Sequence, residues 1–203
     1  MTTGTQTEKA IHPYIAQRRS PRAYQSTRVD QDTIVRLLEA ARWAASSRNR
    51  QPWHFIVATR DDPQEYRRLL HCLNENNQKW AQSAPVLMLV VALMEEDGNP
   101  LRHSWYDTGL AVGNLTVQAM NDGLMLRQMG GIDRDKARLV YNIPEAYEAV
   151  CGLAIGYPAD PDTLPADQRE RETARRTRKS LRDFVFSGKW GRTASIVTEK
   201  AHK

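Results

Sequence analysis

From Pro85 to Met94 the chain reads Pro-Val-Leu-Met-Leu-Val-Val-Ala-Leu-Met, with no charge and no hydrogen-bonding side chain. The run is about half the ~20 residues a membrane-spanning helix needs. Its length, and the β-branched valines at its centre, suit instead a strand from Pro85 to Leu93 that is covered on both faces. A chain of 203 residues supplies the layers, since at this size roughly 70% of the unfolded surface is buried. A mean hydropathy of −0.63 and an N-terminus, MTTGTQTEKA, without an apolar stretch point to a soluble, cytoplasmic protein.

The rest of the chain mixes helical and strand patterns. Residues 1–10 read as a loose N-terminus. A short helix is expected from Ile11 to Arg19, stopped by Pro21. Asp30 or Asp32 caps the next helix, whose Ile34, Leu37, Leu38, Ala41 and Ala45 share one face. Trp53–Ala58 reads as a strand, and Pro63 opens a helix carrying Tyr66, Leu69, Leu70 and Leu73. Glu95–Pro100 is a turn. A long helix rich in small residues spans Ser104–Asn121, with Gly123 at its C-terminal end. Leu124–Gln128 is a short segment, Asp133 caps a helix to about Tyr141, and Ala149–Gly156 is a further strand. Pro158–Gln168 reads as an extended connection. The order gives an α+β fold with one domain over residues 11–191 and a loose tail over 192–203.

Cys72 and Cys151 lie far apart without Cys-x-x-Cys spacing, which excludes a disulfide framework and a thiolate metal site. The five histidines fall in no ligand motif, so no metal is expected. The formal net charge is +5, but residues 169–203 carry 11 basic and 4 acidic groups, a net +7, and the remainder is −2. Such a basic end points to anions: nucleic acid, an acidic membrane, or a ligand phosphate.

Four stretches could carry chemistry. In Arg18-Arg19-Ser20-Pro21-Arg22 the proline ends a helix and lets guanidiniums and a hydroxyl converge on one anion. Its plainer reading is arginines at the negative pole of a helix. In Ser46-Ser47-Arg48-Asn49-Arg50-Gln51-Pro52-Trp53-His54-Phe55 an amide-bearing loop enters a strand. Asn49 and Gln51 each offer donor and acceptor to a flat heterocycle, or they simply serve a turn. Met129-Gly130-Gly131 lets backbone amides approach a ligand without Cβ obstruction, or is an ordinary turn. Arg175-Arg176-Thr177-Arg178-Lys179 is an anion patch or a solvated surface. No Gly-x-Gly-x-x-Gly fingerprint and no Walker loop is present.

Taken in order, these four stretches resemble the FMN-dependent nitroreductase family over about Tyr14–Gly191. The resemblance implies a central, mostly antiparallel sheet surrounded by helices, and an intertwined homodimer with two FMN sites at the subunit interface. It implies that Arg18 and Ser20, with Arg19 beside them, hold the FMN phosphate, joined by Arg176 and Arg178. Arg22 would lie near the pyrimidine edge and tune the flavin. Asn49, with Ser47 and Gln51, would hydrogen-bond the ring, and Gly130 and Gly131 would turn backbone amides towards it. The chain departs from the family's pattern at Ala45, where proline is frequent, and at Met125, where a second glycine is frequent.

The resemblance further implies NADH or NADPH as co-substrate. Hydride would pass through flavin N5 in two half-reactions to a nitroaromatic, a quinone or a related acceptor. No catalytic side chain is then required, in keeping with the lack of any Ser-His-Asp or paired-carboxylate pattern. Other reactions on the same fold are reductive dehalogenation, azoline oxidation and flavin cleavage. A non-enzymatic flavin- or anion-binding protein is the alternative from another class; the expected partners are small molecules and a second copy of the chain, with neither nucleic acid nor membrane.

Overall fold

The computed structural model describes residues 7–198, so residues 1–6 of the expected loose N-terminus and 199–203 of the expected loose tail lie outside the described residues. The chain divides into two compact units, Gln6–Thr173 and a smaller one holding the segment from Ala174 onward.

The larger unit begins with α1 (Pro13–Gln17), shorter than the expected helix because Pro13 occupies its first turn and the Arg18 backbone is already extended. Helix α2 (Gln31–Arg42) starts at Asp30, whose side chain accepts the Thr33 N–H. Strand β1 (Trp53–Thr59) is followed by α3 (Pro63–Leu70) and α4 (Glu75–Ala81). Strand β2 (Val86–Leu93) leads to a small hairpin, β3 (Glu95–Glu96) and β4 (Asn99–Pro100), where a turn was expected. Its tip, Asp97-Gly98, has both φ values positive (52° and 74°), as a tight hairpin turn requires.

Helix α5 spans Ser104–Asn121, the bounds read from the sequence, and Gly123 follows its cap with φ 73°. Strand β5 (Met125–Met129), helix α6 (Arg134–Tyr141, capped by Asp133) and strand β6 (Tyr147–Gly156) follow. The stretch read as an extended connection instead holds a 3-10 turn at Pro161–Thr163 and the start of α7 (Ala166–Thr173). Helix α7 buries no residue, so it has no apolar periodicity to announce it.

The four long strands form one antiparallel sheet in the order β1-β2-β6-β5. The β2 run is central and explains its composition. Leu87, Leu89 and Val91 pack with Tyr66, Leu69 and Trp80 from α3 and α4 on one face. Val86, Met88 and Val90 pack with Leu37 of α2 and Leu115 of α5 on the other. A strand with helices on both faces must be apolar at every position, whereas a one-sided strand alternates. The fold is therefore α+β, as expected. No helix among the described residues is long and apolar enough to cross a membrane.

The smaller unit, described over residues 174–198, holds 3-10 turns at Leu181–Asp183 and Ser195–Val197 and an isolated bridge between Phe186 and Thr193. Ser180 and Asp183 form a reciprocal capping box, and Phe186 meets Trp190 edge-on at 5.1 Å.

Candidate functional site

The arginine segment leaves α1 and is fastened along its length. Tyr14 donates its hydroxyl to Asn121 Oδ1 (2.9 Å), which ties α1 to the end of α5. Arg18 Nη1 donates to Ser20 Oγ (3.1 Å), so these two predicted residues do converge. Arg127 of β5 donates to the Ser20 carbonyl and stacks over the Trp80 ring at 5.3 Å.

Beyond Pro21 the partner is Glu172 of α7. Both of its oxygens accept the Arg22 backbone N–H (3.2 Å each), and one lies 3.7 Å from the Arg22 guanidinium. Arg19 Nη2 donates to the Glu172 carbonyl (2.7 Å). The Ser83 hydroxyl donates to the Arg22 carbonyl (3.1 Å), so Arg22 is held from both sides of its peptide. Glu172 therefore offsets the charge of Arg22 locally. Burial lowers the Arg127 pKa from its usual value, the nearby Arg22 cation lowers it further, and Glu172 opposes both.

Arg18 borders a shallow groove of about 240 Å³, whose other walls include Ile15, Gly113, Val117, Met120 and Gln128. A cationic, hydroxyl-bearing end beside a mainly apolar wall suits a ligand with an anionic tail and a flat apolar body.

The Ser46–Gln51 loop sits elsewhere along α5. Ser47 N–H donates to Asp107 Oδ2 (2.9 Å), and Asp107 is buried at 5% exposure. The Ser46 hydroxyl accepts the Gln51 N–H (3.0 Å), and Gln51 Nε2 donates to the Asn49 carbonyl (3.1 Å). Arg48, Asn49 and Gln51 all have φ near +50°, at 55°, 55° and 49°. Three non-glycine residues in that region are uncommon, and the loop pays in strain for the shape it presents. Between Asp107 and Val117 the α5 axis rises by about 15 Å. Within one chain, then, the amide loop and the Arg18 groove are separated along this helix.

Gly130 and Gly131 differ in kind. The Gly131 carbonyl accepts from Asn74 N and Asn77 Nδ2, both at 3.0 Å. A Cβ there would come within 2.8 Å of Asn77 Nδ2 and 2.9 Å of Asn74 Cγ. Gly131 is a packing glycine held by the start of α4. Gly130 is exposed, and a Cβ there would meet nothing within 4 Å, so this peptide stands open to a flat ring. Arg176 and Arg178 belong to the smaller unit, where Arg178 Nη1 donates to the Thr177 carbonyl (2.7 Å).

Several partners were invisible to the sequence reading. Glu172 lies in Arg-Glu-Arg-Glu-Thr, where nothing separates it from its solvated neighbours. Asp107 did carry a signal, as the one charged residue in an otherwise uncharged helix. Asn74 is the cap of α4, a helix the periodicity did not reveal. Among the described residues no cluster of histidine, cysteine and carboxylate groups could hold a metal.

The model of the nitroreductase family matches residues 15–157. The chain belongs to the nitroreductase family. A solved structure described as an oxidoreductase containing FMN is 33% identical, with a TM-score of 0.88 over 95% of this chain and 100% of its own. An Archaeoglobus fulgidus protein, named "Putative NADH dehydrogenase/NAD(P)H nitroreductase", is 30% identical over 75% of this chain and 88% of its own. A 4-nitrobenzoate reductase from Pseudomonas putida is 23% identical over 79% and 90%. The matched region of the nitroreductase model contains the arginine segment, the amide loop and both glycines.

Proposed function

We propose that this protein is an FMN-dependent oxidoreductase that draws on NADH or NADPH and reduces nitroaromatics, quinones or related acceptors. The observation that carries the reading is the Arg18–Ser20 pair at the edge of an apolar groove, in a chain of the nitroreductase family. The relative containing FMN and those named for nicotinamide and nitro-compound chemistry support it.

The donor set fits the cofactor. Arg18 and Ser20 offer a charge-assisted and a neutral donor to a phosphate. Gly130 leaves room for the ring face, and Asn49 and Gln51 offer amides to its polar edge. When bound, FMN supplies the hydride acceptance and return that no side chain can perform. The protein's own part is to bind, to orient and to keep the segment rigid, which Glu172, Arg127 and Ser83 do for residues 19–22.

The same reading makes the protein a homodimer in the cytoplasm. Helix α5 exposes Tyr106 (69%) and Val117 (43%) beside Gly109 and Gly113. Pairing this face with that of a second copy would cover it and bring the amide loop of one chain towards the Arg18 groove of the other. In the smaller unit Phe184, Trp190 and Ile196 are exposed and suit contact with a partner copy. Heat release of the cofactor from purified protein, followed by chromatography, tests the reading: FMN is expected, and FAD or no flavin would refute it.

A further inference from the structure

A cleft of about 330 Å³ opens where α5 begins, beside the amide loop, and Arg48, Arg50, Arg102 and His103 line it together with Ser47 and Asp107. Part of this charge is used internally. Arg50 Nε donates to Glu96 (2.9 Å), and Asp107, largely buried, accepts the Ser47 N–H. Among the described residues neither Arg48 nor Arg102 has a carboxylate partner or a side-chain hydrogen bond. Two exposed guanidiniums thus face one concavity with their charge uncompensated, next to an exposed imidazole.

We infer that this cleft binds the carboxylate of a small aromatic acid, so that the preferred acceptors are anionic. The inference rests on the function proposed above, because the Ser47–Gln51 loop must border the reacting ring for the cleft to select acceptors. Size favours a one-ring acid. The cleft is at the lower end of the range for ligand sites, roughly 300–1,000 Å³, and is small for a dinucleotide. Chemistry favours a carboxylate, because planar guanidiniums match its two oxygens in paired, charge-assisted hydrogen bonds. Asp107 adds one negative charge to the lining, against the two guanidiniums of Arg48 and Arg102, and one of its oxygens is turned to the Ser47 N–H. The phosphate of a nicotinamide dinucleotide has related chemistry and is the competing source of an anion.

The test uses the flavin-loaded protein and the variants Arg102→Gln and Arg102→Lys. The readout is the ratio of kcat/KM for 4-nitrobenzoate to that for nitrobenzene. Arg102→Gln should lower this ratio about tenfold, chiefly through KM, with Arg102→Lys between it and the parent. Benzoate binding followed by calorimetry, with no turnover, should weaken to a similar degree and should weaken further as salt is raised. An unchanged acceptor ratio would overturn the inference. So would a loss of preference between NADPH and NADH with the acceptor ratio intact, which would give the cleft to the nicotinamide phosphate. Protein that carries no flavin would refute the proposed function separately. Calorimetry would then decide this inference alone: benzoate binding that Arg102→Gln weakens supports it, and no binding refutes it.

Discussion

Glu172 holds Arg22 by its backbone and its side chain at once, with side-chain exposures of only 10% and 17%. A polar helix with no apolar residue in the core thereby locks the segment carrying the candidate phosphate ligands. Glu172→Ala leaves the Arg22 N–H and the Arg22 guanidinium without their carboxylate, while the backbone carbonyl that Arg19 uses remains, and should cost about 1–3 kcal/mol of stability. Glu172→Gln keeps an acceptor oxygen and should cost less. Denaturant unfolding measures both, and a parent-like midpoint for Glu172→Ala would show that the contact does not hold the segment.

The two adjacent glycines should separate cleanly on substitution. Gly131→Ala drives a methyl group into the Asn74 and Asn77 side chains and should destabilise the fold by about 1–3 kcal/mol. Gly130→Ala meets open space and should leave stability within about 0.5 kcal/mol. If the flavin ring lies against this peptide, Gly130→Ala should nonetheless weaken FMN binding. Stability and flavin affinity measured together distinguish packing from ligand contact.

Arg18→Ala should lower FMN affinity by roughly ten- to hundredfold, the worth of one charge-assisted phosphate contact. Flavin fluorescence titration of the apoprotein gives the value. Unchanged affinity would move the phosphate away from this groove.

Burial pushes the Cys151 thiol up to about 11 from an ordinary 9.0. The folded state therefore disfavours the thiolate. Its contribution to stability is complete below pH 9 and is lost as pH rises towards 11, because the unfolded thiol ionises first. At pH 8.5 alkylation of Cys151 should run at least about a hundredfold slower than that of a free thiol. Mass spectrometry of Cys72→Ser protein follows the remaining cysteine, and rapid labelling would show that the site is open.

The elements legible in the sequence were those whose burial imposes a pattern. The β2 run named its own position because both faces are covered, and α5 kept its bounds because its caps and small residues are local signals. Helices α4 and α7 were missed, since one is short and the other wholly polar, and each is held by contacts to residues distant in sequence. The motif residues were found, but their supports were not. Glu172 reaches Arg22 across 150 positions and Asp107 reaches Ser47 across 60, and no spacing rule spans such intervals.

The central claim is that the protein cycles electrons from a nicotinamide to an organic acceptor through bound FMN. Anaerobic titration of the purified protein with NADH, and separately with NADPH, followed by a nitroaromatic acid, tests it most directly. The account predicts that the visible flavin absorbance bleaches with at least one nicotinamide and returns when the acceptor is added. Protein without flavin absorbance, or a bound flavin that neither nicotinamide reduces, would contradict it.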